Sequence, residues 1–147
     1  MIIAEISSCL IAVRLYGRLE WMEICMNILI VEDDERILGF LKRGLEGEQH
    51  RVDIALSGEI GLGLAQKHPY EVILLDVYLP GISGLELCRE LRRQGRTTPV
   101  LMMTARDSPD MHQEAIQAGV NDYLPKPFSF ELLLAKIDRL GLCAGHA

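Results

Sequence analysis

A chain of 147 residues with 49% hydrophobic and 24% charged content is long enough for one domain with a proper core and too short for two full ones. The net charge of -6 argues against a surface that holds nucleic acid or anionic lipid by itself. Cys9, Cys25, Cys88 and Cys143 are scattered, with no CxxC pair or Cys/His cluster spaced for zinc, so they read as reduced thiols of a cytoplasmic protein.

Residues 1–25 stand apart from the remainder of the chain. Ile2, Ile3, Ile6, Leu10 and Val13 mark an apolar face at helical spacing. Glu5 and Arg14 interrupt any export or membrane-spanning run, and no basic region precedes it. Met26 opens a self-sufficient pattern, Met-Asn-Ile-Leu-Ile-Val-Glu-Asp-Asp. The extension therefore reads as upstream sequence translated from too early a start codon, with a functional amphipathic helix as the alternative.

From Met26 onward, strand and helix signals alternate. Ile28 to Val31, Val72 to Leu75 and Val100 to Met103 are short apolar runs, as expected for strands covered by helices on both faces. Arg51 to Leu56 alternates, with Val52, Ile54 and Leu56 on one side and Arg51, Asp53 and Ala55 on the other, which suits an edge strand. A fifth strand around Asn121 to Leu124 ends at Pro125.

Helical stripes lie between these strands. Ile37, Leu38, Leu41 and Leu45 form the first, and Gly84, Leu87, Cys88 and Leu91 the third. Ser57 is the expected N-cap of the second helix and Ser129 of the last, whose Leu133, Leu134, Ile137 and Leu140 face inward. Asp107 to Ala118 offers only Met111, Ala115 and Ala118 to a core, so that helix buries little apolar area and is expected to dock weakly. Strict alternation of five strands and five helices implies right-handed crossovers and a parallel sheet, an α/β fold.

Glu32-Asp33-Asp34, Asp76 and Lys126 then all fall at the carboxyl edge of one sheet, where open α/β folds bind ligands. Carboxylates about 4 Å apart repel by roughly 1 kcal/mol in bulk water and by more in a shielded cleft. The cluster reads as a magnesium site around a nucleophilic aspartate, Asp76. Asp34 reads as an N-cap or first-turn residue.

Four motifs, ILIVEDD at 28–34, LLDVYLPGISG at 74–84, MTAR at 103–106 and DYLPKPF at 122–128, stand in an order and spacing that resemble the receiver domains of two-component response regulators, particularly the subfamily with a winged-helix output domain. The resemblance runs from residue 26 to 140. It implies a flavodoxin-like (βα)5 three-layer sandwich with a five-stranded parallel sheet of order 2-1-3-4-5. It also implies that Asp76 is the phosphoacceptor, taking a phosphoryl group from a histidine of a sensor kinase, with slow autodephosphorylation and no conventional enzymatic turnover.

The implied metal ligands are Asp33, Asp76 and the Tyr78 backbone carbonyl, with Glu32 acting through water, around Mg2+ or its substitute Mn2+. Lys126, held by a cis bond to Pro127, is implied to contact a phosphoryl oxygen. Thr104 and Tyr123 are the implied switch pair, while Tyr78 and Arg106 flank the pocket and gate attacking water. The switched face comprises the fourth helix, fifth strand and fifth helix.

On that face Asp122 and Lys136 match the winged-helix subfamily, whereas His112 and Leu132 stand where its members usually carry arginine and glutamate. The homodimer implied by the resemblance thus lacks part of its complementary charge and gains apolar surface. Residues 141–147 read as a tail or truncated linker. The expectation is either a receiver cut from a longer transcription regulator or a stand-alone receiver acting through protein contacts, with no direct nucleic-acid or membrane binding by this segment. An aspartate-nucleophile phosphatase of the haloacid-dehalogenase type is the rival enzyme, but Asp76-Val77-Tyr78 lacks its D-x-D pattern. A flavodoxin-type cofactor module fails because carboxylates stand where a phosphate loop would be needed.

Overall fold

The computed structural model describes the backbone of residues 2–7, 10–15, 18–23 and 25–144, and side chains from Cys25 to Gly141. Strands β1 (Ile2–Ser7), β2 (Leu10–Leu15) and β3 (Arg18–Glu23) pair antiparallel in a three-stranded sheet. The helical face expected there is not formed. The stretch Ile-Ile-Ala-Glu-Ile-Ser of β1 is half isoleucine, a β-branched residue that loses less freedom in a strand than in a helix.

Beyond Met26 the elements alternate as β4 (Asn27–Val31), α1 (Glu35–Gly47), β5 (Arg51–Ala55), α2 (Gly58–Lys67), β6 (Val72–Asp76), α3 (Gly84–Arg93), β7 (Val100–Thr104), α4 (Pro109–Ala118), β8 (Asp122–Pro125) and α5 (Phe130–Ala144). The five strands are parallel in the order β5-β4-β6-β7-β8. Counted from Met26, this is the expected 2-1-3-4-5. The chain reverses its direction of progress between β4 and β6, so a crevice opens at their carboxyl ends.

Period-two alternation in β4 sends Ile28 and Ile30 to one face with Leu38, Leu41 and Leu45 of α1 and Leu133 and Ile137 of α5. Leu29 and Val31 go to the other, with Leu87, Cys88 and Leu91 of α3 and Ala115 and Ala118 of α4. Each buried Leu or Ile contributes about 1.5–3 kcal/mol of transfer free energy, so the helix resting on alanines is the least firmly held. Met111 is only half-buried and Ile116 is 68% exposed.

The helix starts reflect side-chain chemistry. Asp34 accepts from the Arg36 and Ile37 backbone N–H groups, Ser57 from Ile60, Ser83 from Glu86, Ser108 from Met111 and Ser129 from Leu132, each satisfying a donor the helix cannot. Gly119, at φ 89, closes α4 in the left-handed conformation that glycine adopts without a steric penalty.

Two elements depart from expectation. On the apolar side of β5 Val52 packs against the core, but Ile54 is 41% and, just past the strand, Leu56 44% exposed, while Ala55 is buried, as an edge strand has a neighbour on one side only. The last helix runs beyond Leu140 to Ala144, and Gly141 lies so close to Met26 that a Cβ there would run into the Met26 sulfur. Residues 145–147 of the expected tail lie outside the described residues.

Asp138 on α5 is buried, and burial reinforced by the Glu48 charge pushes its carboxyl up to about 6. Its folded-state pKa lies above the ordinary carboxylate value, so the stability it contributes at low pH is lost as pH rises through about 6. Asp138→Asn is therefore expected to raise the urea unfolding free energy by on the order of 2 kcal/mol at pH 8 and to change it little near pH 4.

Candidate functional site

Three strand ends are pinned by the same device. The Glu32 backbone N–H donates to the Ala55 carbonyl at 3.0 Å, Val77 to Met103 at 3.1 Å, and Lys126 to Thr104 at 2.7 Å. Each ladder thus continues one residue past the strand or starts the loop from a fixed point, so Glu32, Asp76 and Lys126 project from rigid backbone. Gly84 at the start of α3 donates to the Val77 carbonyl at 2.9 Å, and a Cβ there would collide with the Asp76 carbonyl oxygen. Only glycine permits α3 to press against this turn.

Glu32 and Asp76 are buried and Asp33 is exposed. Carboxylate oxygens of all three lie within 4.8 Å of one another. The Lys126 ammonium reaches Glu32 Oε2 at 3.1 Å and Asp76 Oδ1 at 3.6 Å, while Glu32 Oε1 accepts from the Asp34 N–H at 3.2 Å. The Lys126–Pro127 peptide bond is cis.

Burial, then the Asp76 charge, pushes the Glu32 carboxyl up to about 7 despite Lys126. Burial also raises Asp76, against the opposing pull of Lys126. One ammonium does not neutralise three carboxylates, and the donor set of hard oxygens fits a divalent cation such as Mg2+. Asp34 faces away as the N-cap of α1, its carboxyl lowered chiefly by the Arg36 N–H.

The rim carries the remaining expected residues. Thr104 is fully buried, and its hydroxyl donates to the Arg106 carbonyl and accepts from the Arg106 N–H, both at 3.0 Å. The Tyr123 hydroxyl donates to the same carbonyl at 3.1 Å. The Arg106 guanidinium lies 5.6 Å from the centre of the Tyr78 ring, itself 46% exposed, so these two side chains meet across the mouth.

On the outer face Asp122 accepts from Lys136 at 3.1 Å and from Arg139 at 2.8 Å. Sequence reasoning missed Arg139, which lies one helical turn beyond Lys136. It also missed the contact of His112 with Tyr123 and Asp107, which no sequence spacing announces.

A doubly wound sheet with an acid cluster, a lysine and a buried threonine at its switch point defines a receiver-type domain. The chain belongs to the response regulator receiver domain family, whose profile matches residues 28–138. It is 48% identical over 111 residues to the uncharacterized transcriptional regulatory protein YkoG of Bacillus subtilis, covering 76% of this chain and 49% of the relative. The chain thus spans about half the length of the curated relatives it matches.

Among solved structures, the receiver domain of the Francisella response regulator 1452 superposes with a TM-score of 0.76 at 33% identity, covering 79% of this chain and 96% of that one. The Thermotoga maritima response regulator TrrA, in complex with Mg2+-BeF, gives a TM-score of 0.71 at 31% identity, covering 78% and 97%. No described helix is long and apolar enough to cross a membrane.

The ammonium restrains two buried carboxylates, so removing it should cost stability where both are ionised. Lys126→Met is expected to lower the metal-free unfolding free energy by on the order of 2 kcal/mol at pH 8. The loss should shrink towards pH 5, where Glu32 is protonated in the folded protein, as tracked by chemical denaturation at both pH values.

Proposed function

We propose that Asp76 is the phosphoacceptor of a cytoplasmic two-component phosphorelay, receiving the phosphoryl group from a sensor histidine kinase. The observation that carries this is Asp76 at a strand end, among carboxylate oxygens within 4.8 Å and with the Lys126 ammonium at 3.6 Å. The carboxylate attacks phosphorus as the P–N bond to the kinase histidine breaks, leaving an acyl phosphate here and a neutral imidazole there after proton return. The transition state is loose, so alignment and positive charge matter more than a general base.

Asp33, Asp76 and the Tyr78 carbonyl would hold Mg2+, with Glu32 at one remove through water. When bound, the ion supplies charge neutralisation to the transferring oxygens. Lys126 then leaves Glu32 for a phosphoryl oxygen. The Mg2+-BeF complex of TrrA supports the same chemistry here.

Thr104 couples transfer to output. Its hydroxyl donates to the Arg106 carbonyl in this structure, and turning it to a phosphoryl oxygen surrenders that bond. Tyr123, whose ring packs partly against the core and whose hydroxyl is bonded to the same carbonyl, shifts with the Arg106 loop, reshaping the α4–β8–α5 face. The output is transcription control, as the name of YkoG, a transcriptional regulatory protein, suggests, exerted through a DNA-binding domain. On the proposed dimer face Asp122 is already held within the chain by Lys136 and Arg139, while Ile116 and Leu132 stand exposed. Homodimerisation there would lean on apolar contact more than on charge.

Incubation with a small phosphodonor and Mg2+ should place one hydroxylamine-labile phosphate on the chain, seen by intact mass. Label that persists on Asp76→Asn, or survives chelation of the metal undiminished, would overturn the assignment. Rapid turnover of the donor would favour the phosphatase. Mg2+ at a hundredfold excess over its Kd is expected to stabilise the fold by about 2.7 kcal/mol, an increment that Asp33→Asn should largely remove.

Because Arg106 and Tyr78 meet over the mouth, Tyr78→Ala and Arg106→Ala should change the phosphoaspartate lifetime by several-fold, on the order of 1 kcal/mol in barrier. Unchanged decay in both variants would refute the gating role.

A further inference from the structure

The loop that leaves Asp76 crosses from β6 to α3 over residues 77–83 and carries Tyr78. Its ends are fixed through the backbone, the Val77 N–H on the Met103 carbonyl at 3.1 Å and the Gly84 N–H on the Val77 carbonyl at 2.9 Å. Between them Leu79 and Ile82 rest half-buried against the core, which holds side chains but does not fix the peptide planes. Pro80 and Gly81, the latter at φ 77, turn the chain back.

A side chain from another element holds this turn. The Ile82 N–H donates to Glu59 Oε1 at 3.0 Å, and Glu59 is the second residue of α2. Two glycines permit the approach: a Cβ on Gly81 would run into the Glu59 carboxylate, and one on Gly58 would strike the Ile82 carbonyl oxygen. Further along α2, a Cβ on Gly61 would run into the side chain of Val31, the residue before Glu32. The start of α2 thus bears on both strand ends that carry the buried carboxylates of the pocket, on β4 through Gly61 and on the loop after β6 through Glu59.

We infer that Glu59 is a positioning residue for the metal pocket, fixing the 78–82 backbone through the Ile82 N–H and with it the direction of the Tyr78 carbonyl. The inference rests on the reading that this carbonyl holds Mg2+ together with Asp33 and Asp76. Mg2+ demands near-ideal octahedral geometry, so a carbonyl that is already aimed binds better than one that must be ordered as the ion arrives. Glu59 is exposed and lies outside the cluster of Glu32, Asp33 and Asp76. It acts through the loop and not as a ligand.

The test is calorimetric titration of Mg2+ into the full 147-residue chain, with metal-free urea unfolding alongside. Glu59→Ala removes the acceptor and is expected to weaken Mg2+ binding by about tenfold, while the metal-free midpoint stays near that of wild type. Glu59→Gln keeps an oxygen at the same reach without the charge, so most of the affinity should return. Gly81→Ala strains a turn that needs positive φ and displaces the carboxylate, and it should weaken binding as well. Both changes break one link, so the combined variant should bind no more weakly than Gly81→Ala alone.

Wild-type Mg2+ affinity in Glu59→Ala overturns the inference and leaves the receiver reading standing. Equal weakening in Glu59→Gln does the same, because the lost charge would then be the cause, and so does fully additive loss in the combined variant. Failure of wild type to bind Mg2+, or equal binding by Asp76→Asn, overturns the receiver reading and the inference with it.

Discussion

Repulsion among carboxylates in a crevice is the constraint around which the rest of this domain is arranged. Glu32 and Asp76 are taken out of water beside Asp33, with the Lys126 ammonium within reach. Left free, such groups would swing apart into solvent. Glu32 and Asp76 cannot, because the strand residues before them, Val31 and Leu75, are fully buried, and the Glu32 and Val77 N–H groups are bonded to the neighbouring strands. The large apolar core between β4, β6 and β7 supplies the free energy that holds like charges together. What results is a site whose electrostatic tension is relieved by protonation or by a cation.

Rigidity and compliance are divided across the molecule. Around β4, β6 and α3 the packing uses large aliphatic side chains, and Gly84 lets the helix close on the Asp76 turn. Around α4 and β8 the packing uses alanines, and polar contacts take over: Thr104 and Tyr123 on one carbonyl, His112 on Tyr123 and Asp107, Lys136 and Arg139 on Asp122. Polar contacts of this kind are individually weak in net terms and can be exchanged one for another. A charge change at the rigid end can therefore be answered by rearrangement at the compliant end. The proposed two-state element sits where little apolar surface has to be exposed to move it.

The Arg106 carbonyl is the junction of these two halves. It accepts from the buried threonine beside the acid pocket and from the tyrosine of the outer face, so neither side chain can leave without altering the competition for one acceptor. Arg106 itself reaches back over Tyr78. One residue thus contributes its backbone to the proposed switch and its side chain to the mouth of the pocket.

The apolar runs and the helical stripes of Leu38, Leu41, Leu45 and of Leu87, Cys88, Leu91 determined the elements, because burial on both sides of a sheet leaves a strand no polar positions and a helix one apolar face. The serine and aspartate caps were equally local, being set by side-chain oxygens next to unsatisfied N–H groups. Strand ends carrying Glu32, Asp76 and Lys126 made the pocket legible as well, since a parallel sheet brings such ends to one edge.

The pairing of β1, β2 and β3, exposure along β5, and the length of α5 depended on pairing and packing partners that no local pattern names. So did Arg139 on Asp122 and His112 against Tyr123. Those contacts are made between elements whose relative placement no local pattern encodes, and only the assembled sheet brings them within a few ångströms.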